Sequence, residues 1–277
     1  MIDKLKKAIK NPYLIILFLK IKAFNFLKSK KIISKNSELK NIHLGERCFI
    51  IGNGPSINKQ DIKLLKNEFT FVVNEFHFHK DFKIIRPTYY CIIDEYYFKE
   101  ENIRTLRAIE NAVINSPDTT FFFPAFFKGF IEKNKLFKNN RKYYLAFKGS
   151  ILKTYPSVFL DISKPISGGN FVAFTCLFIA KYMGFKKIYL IGFDHDWQIV
   201  DGKDLGYHFY DQEGTTQSVP PEKLYYLKNP SLRERYLIIK DLFSKDGVEI
   251  FNATEGGYLD VFERVRYEDI FLKKFSK

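Results

Sequence analysis

From Arg47 onward, short apolar runs alternate with polar turns and with stretches of helical spacing. Cys48–Ile51 (CFII), Phe69–Val73 (FTFVV), Tyr89–Ile93 (YYCII), Thr119–Phe123, Lys187–Ile191 (KIYLI) and Val248–Phe251 predict strands. Apolar positions at Ile57, Ile62 and Leu65 predict a helix over Ile57–Leu65, and a Lys/Glu/Arg-rich stretch ending near Ala112 predicts a surface helix. Phe171–Met183 is almost wholly apolar and predicts a buried helix, with Gly184 placed to cap its C-terminus. Ser231–Phe243 and Tyr258–Val265 predict two more helices, whereas Pro124–Asp161 is aromatic and basic with no clean period and predicts no element. Continuously apolar strands alternating with helices indicate an α/β protein, a Rossmann-like and mostly parallel sheet covered by helices on both faces. No internal repeat is present.

Composition sharpens this picture in two places. A chain of 277 residues buries about three quarters of its unfolded surface and needs no disulfide framework. Cys48, Cys91 and Cys176 lie in apolar runs without metal-ligand spacing, as expected of buried thiols in a reducing compartment. The net charge is +14, of which residues 1–40 carry +9 through eleven Lys against Asp3 and Glu38. The longest apolar run there, Tyr13–Leu19, is far too short to span a bilayer, and no small-residue cleavage site follows it. Asn11 and Pro12 suit a helix start, so residues 1–40 read as a basic amphipathic helical segment. Residues 1–35 are expected to rest on an anionic membrane surface, the alternative being packing on the domain or on a partner chain. Residues 41–277 are expected to form the Rossmann-like domain, with a lid-like loop at about 195–228 rich in Gly and Pro.

In parallel sheets ligands bind beyond the carboxyl ends of the strands. This selects the turn Gly52-Asn53-Gly54-Pro55-Ser56, then Asn74, Asp94 and the segment Gly192–Asp196. The glycine turn has the composition of an anion cradle, but it lacks the third glycine of the dinucleotide fingerprint and the Lys-Ser/Thr of a P-loop, and a tight βα turn explains it equally well. Asp194-x-Asp196 follows a strand and could hold Mg²⁺ or Mn²⁺ against a diphosphate.

The blocks FIIGNGPSINKQDI, VVNEFHF, IIDEYYF and ISGGNFVAFTCLFIAKYMGFKKIYLIGFD resemble the bacterial sialyltransferases of glycosyltransferase family 42. GNGPS, SGGN and GFD are also similar to the motility-accessory-factor glycosyltransferases and to the hydroxymethylpterin diphosphokinase-like domain. The resemblance covers Cys48 to Asp194 in scattered blocks. It implies that Asn53 and the backbones of Gly52 and Gly54, with Pro55 and Ser56 in the same turn, meet a nucleotide's phosphate and ribose. It further implies that Asn74 and Asp94 bind ribose or sugar, and that Ser167, Gly168, Gly169 and Asn170 contact cytosine or phosphate. Asp94 stands where the sialyltransferase motif has Asn, and Asn74 and Ser167 also fit a strand end and a helix cap.

The second half departs from the sialyltransferase pattern, because YYLKNPS before the next helix contains no His. Two loop histidines are available, His195 and His208; flanked by Tyr207 and Tyr210, His208 is the favoured general base, with the tyrosines on the phosphate and Asp194 beside them. His77 and His79 alternate with aromatics after Asn74 as secondary candidates at the acceptor edge. The expected activity is inverting transfer of a sialic-acid-like or Kdo-type sugar from a CMP-sugar to a cell-envelope glycan such as lipopolysaccharide, lipooligosaccharide or capsule. No cofactor is expected, and the enzyme would work in the cytoplasm at the inner face of the membrane. The alternatives are a metal-dependent nucleotide-diphosphate-sugar transferase or pterin pyrophosphokinase using Asp194 and Asp196, and a nucleic-acid-binding module. Nucleic acid is disfavoured because the basicity is concentrated outside the folded body.

Overall fold

The computed structural model describes residues 30–155, 158–168, 171–195, 199–200, 203–204, 209 and 230–272. Eight strands build one sheet: β1 (Arg47–Ile51), β2 (Phe69–Val73), β3 (Tyr89–Cys91), β4 (Thr120–Pro124), β5 (Lys142–Leu145), β6 (Lys187–Ile191), β7 (Glu249–Asn252) and β8 (Glu263–Arg264). Their spatial order is β8-β7-β6-β1-β2-β3-β4-β5, and every pairing is parallel.

Because side chains alternate across a strand, each strand feeds two cores. Cys48, Ile50, Phe71, Val73, Cys91 and Phe122 face one core, where they meet helices α2 (Val172–Tyr182) and α3 (Pro230–Lys245). Phe49, Ile51, Val72, Tyr90, Phe121 and Phe123 face the other, under helix α1 (Ile103–Ala112) and a series of 3₁₀ turns. The strands are buried on both faces, which is why they read as unbroken apolar runs. Helix α2 is enclosed all round: Ala173 to Ala180 are buried, and Phe174 packs edge-on to Tyr236 of α3 at 4.7 Å. Its end is a Schellman turn, with Gly184 at φ +95°, Gly184 N donating to Lys181 O and Phe185 N to Ala180 O. The Phe-rich composition fills the second core, where Phe121 stacks on Tyr90 at 5.2 Å and meets Phe137 at 4.4 Å. All three cysteines are buried and unpaired.

Three expectations need correction. Ile57–Leu65 is not a helix but parts of two 3₁₀ turns, Pro55–Lys59 and Ile62–Asn67. Gln60 between them is extended and donates its side-chain amide to Ala253 O at 2.8 Å, and Asp61 caps the second turn, so the helical ladder is interrupted. Tyr258–Val265 is not a helix either. Gly256 and Gly257, at φ +74° and +71°, turn the chain so that Glu263 and Arg264 join the sheet, and Arg264 donates to the carbonyls of Thr254, Gly256 and Gly257. The unassigned stretch after Pro124 supplies the edge strand β5, onto which Asn36 docks an earlier 3₁₀ turn by donating to Tyr144 O and Ile162 O. The basic helices expected before residue 30 and most of the expected lid at 195–228 lie outside the described residues.

Candidate functional site

Strand β1 has β2 on one side and β6 on the other. The chain runs outward from β1 to β5 and then crosses back to β6, which makes the β1/β6 boundary the topological switch point where a crevice opens in such sheets. A cleft lies there, lined by Gly52, Asn53 and Gly54 after β1, Val73 and Asn74 at the end of β2, Phe171, Val172 and Ala173 at the start of α2, and Gly192 to His195 after β6.

The two glycine-bearing turns meet backbone to backbone. Gly52 N donates to Ile191 O at 2.8 Å and Gly54 N to Gly192 O at 3.0 Å. A Cβ on Gly52 would lie 2.4 Å from Gly192 O, and one on Gly54 would lie 1.8 Å from Asp194 Oδ2. Ser56 completes the join: its amide donates to Asp194 Oδ1 at 3.0 Å and its hydroxyl to Asp194 Oδ2 at 2.8 Å. Steric demand between loops therefore accounts for these glycines, and the amides of Gly52, Gly54 and Ser56 are donated within the protein. Both glycines line the cleft all the same. The Ser56 contacts define Asp194, only 6% exposed, as the clasp between the turns. Each Asp194 oxygen thus already accepts one hydrogen bond from Ser56, and a cation on this carboxylate would share the oxygens with those bonds. Among the described residues no group of three His, Cys, Asp or Glu is arranged to hold a metal ion; Asp196 lies outside them.

Asn53 and Asn74 supply the polar groups of the opposite wall. Asn53, 7% exposed, donates Nδ2 to Val73 O at 3.3 Å, and its backbone carbonyl accepts from Phe209 N at 2.9 Å. Asn74 has a left-handed backbone at φ +50°, which Asn tolerates better than most residues, and its carbonyl accepts from Tyr90 Oη at 2.5 Å. The side-chain oxygens of both asparagines are buried without a hydrogen-bond partner among the described residues. Buried polar atoms are nearly always paired, with protein, water or ligand, so these two acceptors mark the cleft as a candidate place for a donor group.

His195 forms the floor beside the start of α2. It is 6% exposed, its backbone is left-handed at φ +49°, and its Nε2 lies 3.1 Å from Tyr236 Oη of α3. Phe171, Phe193 and Tyr236 surround the ring at centroid distances of 6.4, 6.3 and 5.6 Å. Burial in this aromatic box holds the imidazole down at about 4, so it is neutral at pH 7. The sequence marks His195 as a loop histidine and gives no sign of its burial; its position directly after a switch-point strand was the available signal.

Other expected residues fall elsewhere. Asp94 is exposed and caps the turn Glu95–Phe98 by accepting from Tyr96 N at 2.9 Å, away from the cleft lining. Ser167 is buried and paired with Phe159, accepting from its amide and donating its own to Phe159 O; it is not the cap of α2, whose N-cap position is Phe171. Gly168, at φ +106°, donates to Gly149 O. Pro55 opens a 3₁₀ turn behind the cleft. Gly169, Asn170, Asp196, Tyr207, His208 and Tyr210 lie outside the described residues.

Comparison with known proteins agrees with this layout. Among solved structures, the MAf glycosyltransferase from Magnetospirillum magneticum AMB-1 superposes with a TM-score of 0.53 at 13% identity, over 91% of this chain and 41% of that one. The chain thus spans less than half the length of that protein, and at this identity the likeness establishes the fold alone. No curated protein matches the sequence. A family model described as 6-hydroxymethylpterin diphosphokinase MptE-like matches residues 23–200, well over half of the chain and the whole span from the glycine turn to Asp194. On that match, and with the switch-point cleft lying inside it, the chain belongs to the MptE-like family.

Proposed function

We propose that this chain is a glycosyltransferase whose cleft takes a nucleotide sugar, with a CMP-sugar as donor. The observation that carries the reading is the pair of orphan amide oxygens, Asn53 Oδ1 and Asn74 Oδ1, at the switch point of a parallel sheet. Amide oxygens accept from ribose hydroxyls and from the exocyclic amine of cytosine. A monophosphate donor needs less charge neutralisation than a diphosphate, in keeping with an Asp194 whose two oxygens are engaged by Ser56. The fold shared with the MAf glycosyltransferase supports the same reaction class.

In this mechanism the sugar is a sialic-acid-like or Kdo-type residue and the acceptor a hydroxyl of a cell-envelope glycan. His208 takes the acceptor proton while Tyr207 and Tyr210 hold the departing phosphate. Phe209, the next residue in the chain, has its amide hydrogen-bonded to Asn53 O and its ring 5.1 Å from that of His79. The lysine-rich residues 1–35 would hold the enzyme against an anionic membrane face. Among the described residues no helix is long and apolar enough to cross a membrane.

Calorimetry with CMP, UDP, GDP and ATP, each with and without Mg²⁺, tests the reading. CMP binding that is indifferent to Mg²⁺, together with CMP release from a CMP-sugar, is the expected result. The description of the matching family favours a second reading, a pterin diphosphokinase. Mg²⁺-dependent ATP or GTP binding that is strengthened by 6-hydroxymethylpterin, with no CMP binding, would establish that one instead.

A further inference from the structure

Charge is spread very unevenly over this chain. Of the net +14, residues 1–40 carry +9 and residues 135–142 (KLFKNNRK) carry +4, which leaves the rest of the chain close to neutral at +1. The fold brings the end of the first segment against the second. Asn36 donates to Tyr144 O on the edge strand β5, Lys35 Nζ lies 5.0 Å from the centre of the Tyr143 ring, and Tyr143 Oη donates to Glu38. Burial lowers the basicity of the Lys142 ammonium, and the like charge of Lys35 nearby lowers it further.

Residues 30–40 and 135–142 together hold eight basic side chains against the single carboxylate of Glu38. Lys30, Lys31, Lys40, Lys135, Lys138 and Arg141 are exposed and form no ion pair among the described residues. By contrast Lys128 and Lys133, just upstream, are paired with Glu132 and Glu100. An unneutralised cluster on an otherwise balanced body fits an anionic partner.

Topology fixes where this surface lies. In an all-parallel sheet the segments leading into strands gather at the amino end, opposite the carboxyl ends that build the cleft. The turn 135–141 leads into β5, and Asn140 ties it to the segment leading into β4 by donating to Ser116 O at 3.3 Å and Thr119 O at 3.1 Å. Nearby on that segment Ile114 is 70% exposed. Seven of the eight cations are Lys, compact point charges without the planar fork with which Arg reads phosphates and bases. Lysines beside an exposed aliphatic side chain suit a layer of lipid headgroups better than a nucleic-acid backbone.

We infer that the basic surface formed by residues 30–40 and 135–142, on the outer edge of β5, is a second contact with an anionic membrane. It turns the amino end of the sheet toward the lipid and leaves the cleft, at the other end, open. This rests on the reading of residues 1–35 as membrane-binding and adds the part of the folded domain that joins them. Residues 1–29 remain the main anchor, since the surface alone is too sparse to hold the protein on lipid.

The test uses the full chain and cosedimentation with phosphatidylglycerol vesicles, with phosphatidylcholine vesicles as the uncharged control. One triple variant, Lys135→Asn, Lys138→Gln and Arg141→Gln, removes three charges from the surface; Asn suits the left-handed backbone of Lys135 at φ +53°. A second, Lys80→Gln, Lys99→Gln and Lys148→Gln, removes the same charge from exposed positions that follow strands β2, β3 and β5. The first variant should bind phosphatidylglycerol vesicles about tenfold or more weakly than wild type, and the second within about threefold of it. CMP affinity should be the same in all three proteins and unchanged by vesicles. Equal losses in the two variants, or no loss in either, overturn the surface and leave the membrane reading standing. A full chain that does not bind phosphatidylglycerol vesicles overturns both, and salt-sensitive binding of poly(U) in their place would assign the surface to nucleic acid.

Discussion

Acid should weaken this fold through His195 by an amount that the structure sets. The imidazole is held at about 4 by burial, against 6.5 in an ordinary environment. Below pH 6.5 the unfolded chain takes up a proton at this residue that the folded chain refuses until about pH 4. The contribution of His195 is therefore fully present above pH 6.5 and is lost as pH falls toward 4. Two-state linkage gives a loss of about 2 kcal/mol at pH 5 and about 3 kcal/mol at pH 4 relative to pH 7.5. Burial also depresses His77, to about 4, and His79, so the wild type should lose more than His195 alone provides. Urea unfolding of the wild type and of His195→Asn at pH 7.5 and pH 5.0 isolates the one residue. The variant, whatever its stability at pH 7.5, should lose about 2 kcal/mol less than the wild type on going to pH 5.0. Equal losses in the two proteins would refute the reasoning, since they would mean that His195 titrates normally in the folded state.

Gly54→Ala places a methyl 1.8 Å from Asp194 Oδ2 and should destabilise by about 1–3 kcal/mol, read as a lower Tm, even though the backbone there (φ −66°) suits alanine. Gly129→Ala, a helical site with nothing within 4 Å of the new Cβ, should raise Tm slightly, so the two glycine substitutions differ in sign. Asn74→Gly preserves the left-handed backbone while removing an orphan acceptor; CMP affinity should fall about tenfold, with stability within about 1 kcal/mol of wild type by urea titration. Removing residues 1–29 should abolish cosedimentation with phosphatidylglycerol vesicles and leave CMP binding intact, a result that binding of both forms to the vesicles would contradict. Cys48, Cys91 and Cys176 should resist a thiol reagent in the folded protein and react once urea unfolds it, because all three are buried and burial raises the Cys48 and Cys91 thiols.

The sheet was legible because its strands are buried on both faces, which leaves a simple mark in sequence: unbroken runs such as CFII and KIYLI. Helix α2 was legible for the same reason. Where local spacing competed with distant contacts, it misled. Ile57, Ile62 and Leu65 are all buried as a helical period requires, yet the tie from Gln60 to Ala253, nearly two hundred residues away, breaks the helix between them. The site's location followed from topology, and Gly52, Asn53, Gly54, Asn74 and Asp194 do line one cleft. What each residue does there was less accessible. Whether a glycine amide faces a ligand or a neighbouring carbonyl depends on the loop after β6, and a sequence does not show how closely two loops approach. The burial of His195 was hidden for a related reason, since Phe171, Phe193 and Tyr236 around it come from three separate parts of the chain.

The pairing of β1 with β6 brings Ile51 beside Ile191, so the chain must close a very long loop before the two glycine turns can touch. Pairings between sequence-distant strands form slowly, because the entropy of loop closure is lost before any contact offsets it. The strands from β1 to β5 join neighbours close in sequence and can form a sheet early, but Gly192, Asp194 and His195 reach the cleft only when the returning segment docks. Ligand binding should thus recover in the last kinetic phase of refolding, behind the bulk of the secondary structure. A nascent chain ending before Lys187 would carry both orphan asparagines while still lacking the wall they face.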